Sequence, residues 1–568
     1  MNEDSRPTKP QEPERSAGTQ MTLAAIVISV FLFAGKVAGY GKDMIISGYF
    51  GGTRVSDAFY FPYYTIIHEI YAKIEKLLRP TYLPQFVKKL QDGEKAAWKI
   101  TSVITNIQFL TLLVIVIVLE VFAGPLVRTL WREHSSDPHS FRLTVTLVRI
   151  MAPALLLFSL SVMPELTLHS YTRFTAPAVA ECICRIGMFV TLFVALEYLW
   201  HPEHQNAIYA AGLGVLVGYP LRFLAQLPSL WSKLKNYVLS LDFSSPEVKT
   251  IFALMPPVVL GLIFSWGRGF ADSIYADQIG EGIFTCLRFG RKMLDAPMQI
   301  LPLAVSFVVY PYLSQWALEG AKDKLADALV SMTRAMAFVF VPAAVAIMLL
   351  SDVIIAVMFE HGKFGPEDTR LAAIGLFCYA LGILTFSVEG SINKWYFALG
   401  DTGTPNYVGA PTAVLHIIIG YVGVFIVSRG SAAGEVANLG AVGVGIAAIA
   451  LALTISKSAK VVVLYGLLLK RIGRIDTRKV YSFVAKLAFS TAVMGIVMWL
   501  LLDLVREPIM AWEPAFGGKK VQMLLLFGTV GGAGIVTYLS AAAVVRIEEL
   551  AVVWEHVMGR VKKRLGRG

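Results

Sequence analysis

The stretch LPQFVKKLQDGEK (residues 83–95) returns 230 residues later as LSQWALEGAK (313–322), with Leu83, Gln85 and Phe86 matched by Leu313, Gln315 and Trp316. Working outward, ALLLFSLSV (154–162) returns as ALGILTFSV (380–388), and Pro177 returns as Pro405, at offsets of 226 and 228. Single matches in apolar sequence are common. A shared offset in a shared order points to an internal duplication. Duplicated bundles of membrane helices related by a pseudo-two-fold are the usual architecture of a transporter that holds its substrate between the halves.

The 568 residues are 56% hydrophobic and 16% charged, against about 25% charged in soluble domains. Apolar runs of about 20 residues, each long enough for a bilayer core of about 30 Å, recur to give about fourteen expected spans. The expected fold is an all-α polytopic membrane protein with two pseudo-symmetric six-helix lobes arranged in a V, plus two extra C-terminal helices. Its expected parts are a disordered cytoplasmic tail (1–20), an N-lobe of helices 1–6 (21–231) and a cytoplasmic linker (232–249). A C-lobe of helices 7–12 (250–466), helices 13–14 (467–545) and a basic cytoplasmic tail (546–568) follow. Residues 1–20 lack the order of a signal peptide. Cys182, Cys184, Cys286 and Cys378 all fall in apolar segments, without the paired spacing of a zinc site. No metal or cofactor is expected.

The net charge of +11 is gathered at helix ends on one side, for example at Lys88, Lys89, Lys95 and Lys99, and at Lys470, Arg471 and Arg474. That is the positive-inside pattern, which places both termini in the cytoplasm and argues against nucleic acid as a partner. Short loops leave no room for a soluble catalytic domain, so the chain is not expected to be an enzyme.

An ionised side chain at mid-bilayer costs about 2.5–3.5 kcal/mol on insertion scales and therefore faces a wet cavity or a partner. Helix 1 carries Lys36 and the Lys42–Asp43 pair, with the two lysines about 120° apart around the axis. Helix 2 carries Asp57, and one turn separates its Glu69 and Lys73. In the second half, Arg268 and Asp272 are again one turn apart, and the next helix holds Arg288, Arg291, Lys292 and Asp295. The plainer reading is that end cations snorkel and the rest form structural pairs. Cations converging from the opening helices of both lobes suit an anionic ligand, of which phosphate or diphosphate is the natural candidate.

These residues resemble the MurJ/MviN family, the lipid II flippases of the multidrug/oligosaccharidyl-lipid/polysaccharide exporter superfamily. GKVAGYGKD (35–43) resembles the family's S-R-x-x-G-F-x-R-D on helix 1, and DAFYFPY (57–63) its D-A-F-F-V-A-F on helix 2. GKFGPEDT (362–369), YALG (379–382), YFALGDTGTP (396–405) and RKMLDAP (291–297) resemble further family motifs, in order. The resemblance places Lys36, Lys42 and Lys292 at functional arginines and Asp43, Asp57 and Asp295 at functional acids. A further helix-2 arginine falls on Ile70, with Lys73 one turn on as its candidate substitute. Arg268 and Asp272 are candidates for ion coupling or structure. Lysines keep the charge and lose the bidentate fork.

The resemblance implies a flippase that moves a polyprenyl-diphosphate-linked glycan, lipid II or a related oligosaccharide, across a bacterial cytoplasmic membrane by alternating access. It implies membrane lipids and cell-wall synthesis proteins as surroundings, and the membrane potential or an ion as driving force. Two rivals stand beside it. A cation-coupled small-molecule exporter of the same superfamily needs a cavity dominated by carboxylates. A membrane glycosyltransferase using polyprenyl-linked donors needs paired acids in a sizeable first outer loop, and here that loop is only GYFGGTRVS (48–56).

Overall fold

The structure, a computed structural model, describes residues 17–199, 206–401, 403–431, 439–473, 477–512 and 518–551. Residues 1–16 of the expected N-terminal tail and 552–568 of the basic tail lie outside the described residues. Helix dominates, and among the described residues the only β-type pairing is one isolated bridge, His361 with Phe364. Among the described residues, nine helices are long and apolar enough to cross a membrane, or up to eleven with each bent pair counted as one span. Merging described helices separated by no more than two residues gives fourteen rods between Ala17 and Val544, against about fourteen expected spans.

The duplication is visible in the helix boundaries. α-Helices begin at residues 54, 94, 138 and 175 in the first half and at 283, 322, 366 and 404 in the second, each pair offset by 228–229 residues. Two long helices, Thr477–Ala511 and Gly518–Val544, follow the repeat. They pack on Lys322–Leu349 and Ser351–Phe359 through Met494, Met498, Leu526, Val530 and Tyr538. The Tyr538 hydroxyl donates to the Phe338 carbonyl at 2.7 Å.

Outward faces are apolar because lipid, not water, covers them. Along Glu94–Leu130 the exposed residues Val114, Ile117, Val118, Val121 and Phe122 follow a helical stripe. In such a solvent helix pairs gain little from burying apolar area and depend on close packing. Thr175–Tyr198 and Tyr209–Leu234 meet in this way: a Cβ at Gly214 would sit 2.9 Å from the Met188 carbonyl oxygen, and one at Gly218 would sit 2.8 Å from that of Cys184. The four-residue glycine spacing lets the backbones touch.

The chain forms two compact units. The first holds the described residues within 17–43, 78–119 and 150–251; the second holds those within 44–77, 120–149 and 252–551. Their boundary differs from the repeat boundary, because the far ends of the first four rods cluster with the second half of the chain. Within the second unit, Asp57 supplies one physical reason. Its carboxylate accepts from Gly282 N at 2.7 Å, Thr285 N at 2.8 Å and Thr285 Oγ1 at 2.6 Å. It therefore caps the start of Ile283–Val308, where helical N–H groups lack internal partners. Gly282 has φ +76°, and a Cβ there would lie 1.9 Å from the Gly52 oxygen, so only glycine fits.

Two further contacts in this unit repeat the internal symmetry. Lys363 N donates to the Gly48 oxygen at 2.8 Å. At positions 229 residues away, His134 N donates to Asp277 Oδ1 at 2.9 Å.

The linker belongs to the first unit and is stitched to Glu94–Leu130. Asn106 Nδ2 donates to the Val238 and Ser240 carbonyls, and Val238 N donates to Ser102 Oγ. Lys99 pairs with Asp242 at 2.8 Å, and Lys89 with Glu247 at 3.0 Å.

Candidate functional site

In the first unit, the sequence GKVAG places Gly35 and Gly39 four residues apart on the face that meets Thr175–Tyr198. A Cβ at Gly35 would lie 3.2 Å from the Cys182 Cα, and one at Gly39 would lie 3.3 Å from an Arg185 guanidinium nitrogen. Lys36 follows Gly35 and is partly exposed. Lys42 is buried, its ammonium 2.6 Å from Asp43. The two lysines of helix 1 thus stand in different surroundings, one accessible and one covered.

The same unit contains an ion network that the sequence reading did not identify. Glu165 accepts from Arg79 at 2.9 Å and Arg222 at 3.0 Å. Arg222 also reaches Glu181 at 3.2 Å, and Glu181 accepts from Arg185 at 2.7 Å. Arg222 lies 5.3 Å over the Phe158 ring, which stacks on Tyr219. A carboxylate buried among apolar residues needs such partners to stay ionised at tolerable cost.

The second unit holds the remaining candidates. Glu69 and Lys73 form the expected one-turn pair at 2.6 Å, and Lys73 also donates to Ser265 Oγ at 2.9 Å. Beside them Ile70, where the resemblance would place an arginine, is buried. Asp272 does not bridge the Arg268 guanidinium one turn away. It bonds His416 Nε2 at 2.6 Å, with His416 fully buried. The imidazole arrives from a helix 144 residues later in the chain and takes the carboxylate that helical spacing alone would give to Arg268. Asp57 serves as the cap described above. Lys292 is partly exposed and Asp295 exposed.

Around these residues stands a cationic cluster. Arg288 lies over the rings of Phe284 at 4.6 Å and Tyr64 at 5.0 Å. Arg291 lies 6.0 Å over Tyr379. Glu389 holds two ammonium groups, Lys457 at 2.6 Å and Lys460 at 2.8 Å. Arg268 is within electrostatic reach of Glu389, Asp272 and Arg291, and Lys457 within reach of Arg268 and Arg291. Five cations, Arg268, Arg288, Arg291, Lys457 and Lys460, thus surround Asp272 and Glu389, with the Glu69–Lys73 pair within electrostatic reach of Arg268 and Arg288. Sequence reading found Arg268, Arg288 and Arg291 but not the trio around Glu389. Its signal was present as Lys457 and Lys460 at i, i+3 inside an apolar helix.

Guanidinium groups held by ring faces keep their N–H donors available, unlike those spent on carboxylates. Such a cluster carries the charge that complements a polyanion, although the space between Asp272, Arg288, Arg291 and Tyr379 is closed to about 10 Å³ in this state. No group of three or more His, Cys, Asp or Glu residues among the described residues is arranged to hold a metal ion.

Comparison with known proteins adds the following. The family described as "Lipid II flippase MurJ" matches residues 46–513. A probable lipid II flippase MurJ of Borreliella burgdorferi is 26% identical over 522 residues, covering 89% of this chain and 94% of the relative. One of Vibrio cholerae is 23% identical, covering 95% of this chain and all of the relative. Among solved structures, a lipid II flippase MurJ in an inward closed conformation superposes with TM-score 0.68 at 21% identity, over 91% of this chain and 98% of that one. An inward-facing multidrug transporter of the MATE family gives TM-score 0.59 at 14% identity, over 79% and 98%.

Proposed function

Because this chain belongs to the lipid II flippase MurJ family, we propose that it carries a polyprenyl-diphosphate-linked glycan, lipid II or a close relative, across the bacterial cytoplasmic membrane. Both termini would lie in the cytoplasm, where the basic loops are held. The observation that carries the reading is the excess of cations in otherwise apolar spans, from Lys36 on the first helix to Arg288, Arg291 and Lys292 on the eighth.

A diphosphate cannot cross hydrocarbon bare. Fixed ammonium and guanidinium groups replace its hydration, giving charge-assisted bonds stronger than neutral ones. The glycan needs a wet path, while the polyprenyl chain has no reason to leave lipid. Alternating access would then expose the cations to one leaflet and afterwards to the other, with the two repeats as the moving bodies. The linker and the two helices beyond the repeat would frame that motion. Lys36, Lys42 and Lys292 would act as point charges, supported by Lys73 and the guanidinium groups. Asp43 and Asp295 would balance them, Asp57 would set the start of the eighth helix, and Arg268 and Asp272 would couple movement to charge. A membrane potential acts on any such charged carrier, at about 2.3 kcal/mol per charge per 100 mV.

The MATE likeness concerns the fold. An exporter of organic cations would need carboxylates in excess, where this cluster, with Glu69 and Lys73 counted, carries six cations against three acids.

The test is complementation of a flippase-depleted bacterium, read as protection of lipid-linked glycan from a headgroup-cleaving probe added outside. Lys36→Arg and Lys292→Arg should retain transport. The Lys36→Gln, Lys292→Gln double variant should lose at least tenfold, the scale of one charge-assisted bond of about 1.5–3 kcal/mol. Normal flipping by the double variant, at equal amounts in the membrane, would eliminate the anion-clamp reading.

A further inference from the structure

Within the second unit, a cleft of about 460 Å³ opens between the two helices beyond the repeat and the helix Pro366–Ala380. Its charge is layered. Arg370, Ala373, Ile374 and Phe377 all line it, and their spacing of i, i+3, i+4 and i+7 sets them on one helical face. That face runs from a guanidinium to an aromatic ring over about 10.5 Å of helix. Across the cleft, Lys519 and Met523 repeat the order, charge first and apolar one turn on. Both helices begin near these charges, so the cleft is polar at the rod ends and apolar towards the hydrocarbon. Phe377 is 45% exposed, which leaves its ring available to an apolar ligand.

The rim is short of anions. Glu360 is already occupied, accepting from Lys519 and, at 2.9 Å, from Thr369 Oγ1. Asp352 accepts from Arg506 at 2.5 Å. Arg370 is exposed and makes no ion pair among the described residues. One whole guanidinium and the remaining donors of Arg506 therefore lack a carboxylate acceptor among the described residues. A ligand fitting both layers has a phosphate at one end and a hydrocarbon chain at the other.

We propose that this cleft is a binding site for one membrane phospholipid with an anionic headgroup, its phosphate on Arg370 and Arg506 and an acyl chain along Ile374, Phe377 and Met523. The site is separate from the cations assigned to the transported diphosphate, and the proposal does not depend on transport. Lipid seated here would join the two added helices to the repeat, supplementing the packing of Met498, Leu526 and Tyr538 with a non-protein component.

The test uses the full chain purified in detergent with trace phosphatidylglycerol or phosphatidylcholine, and reads retained lipid by native mass spectrometry. One phosphatidylglycerol should be retained at least tenfold better than phosphatidylcholine. Arg370→Ala, at an exposed position, should remove that preference, and Phe377→Ser should weaken retention of both lipids severalfold. Excess glycerol phosphate, the headgroup without chains, should not displace the lipid. Equal retention of the two lipids, or retention unchanged in both variants, would overturn the site. Full displacement by glycerol phosphate would reduce it to a simple anion site and overturn the lipid assignment.

Discussion

Two groups of arginines in this protein are held by different means. Around Glu165 in the first unit, every arginine ends on a carboxylate: Arg79, Arg222 and Arg185 bridge Glu165 or Glu181 at 2.7–3.2 Å. Around Glu389 and Asp272 in the second unit, Arg288 and Arg291 rest on aromatic faces. Among the described residues neither makes a carboxylate bridge. A ring offers electrostatic attraction without consuming an N–H donor. The first arrangement spends its guanidinium groups on the fold, whereas in the second Lys457 and Lys460 are spent on Glu389 and only Arg288 and Arg291 stay clear of carboxylates, as the proposed anion site requires. Charge inside a membrane protein therefore has two meanings, and the chemistry of its nearest neighbour separates them.

The sharpest way to break this distinction is to damage the spent group. Arg222→Ala leaves Glu165 and Glu181 short of a buried counter-charge, and such a loss typically costs about 3–5 kcal/mol. The expected outcome is a large fall in folded protein recovered from membranes, measured by fluorescence-detected size exclusion. Glu165→Gln combined with Arg222→Met should recover much of it. A single variant as stable as the parent would show the network to be dispensable.

The reserved group should respond in the opposite sense. Arg291→Gln or Arg288→Gln should leave thermal stability within about 2 kcal/mol, since a desolvated ring contact is worth about that much. Transport should drop about tenfold, one charge-assisted bond's worth. Stability losses larger than those of Arg222→Ala would place these arginines among the structural pairs and merge the two classes.

The smallest effect belongs to a charge at the surface. Lys99 pairs with Asp242 at 2.8 Å with its side chain 55% exposed. Lys99→Ala should change stability by less than about 1 kcal/mol and leave transport intact. A thermal shift comparable with that of Arg222→Ala would mean that exposure is the wrong measure of a pair's worth here.

Much of the fold was legible because its signals are local or periodic. Apolar runs located the rods, and the recurrence of Leu83, Gln85 and Phe86 at Leu313, Gln315 and Trp316 predicted the register that the helix starts at 54 and 283 display. The Glu69–Lys73 pair was legible for the same reason, since one helical turn joins them. Partnerships across distant helices were not. Glu389 meets Lys457 and Lys460 from 68 and 71 residues away, and His416 displaces Arg268 at Asp272 from 144 residues away. Hydropathy carries no record of which polar faces meet. Asp57 shows the same limit: its place among family motifs marked it as important, but only the chain fold turns it towards Gly282 and Thr285 as a helix cap. The compact units also differ from the repeats, because backbone capping at rod ends crosses the sequence boundary between them.

The stitched linker has a consequence for how this protein could be inherited or engineered. Residues 237–242 are pinned to the start of Glu94–Leu130 through Asn106, Ser102 and Lys99, and Glu247 is pinned independently by Lys89. A cut between Phe243 and Ser244 would leave both new ends anchored without the peptide bond. Two separately translated polypeptides, 1–243 and 244–568, should therefore reassemble in one membrane.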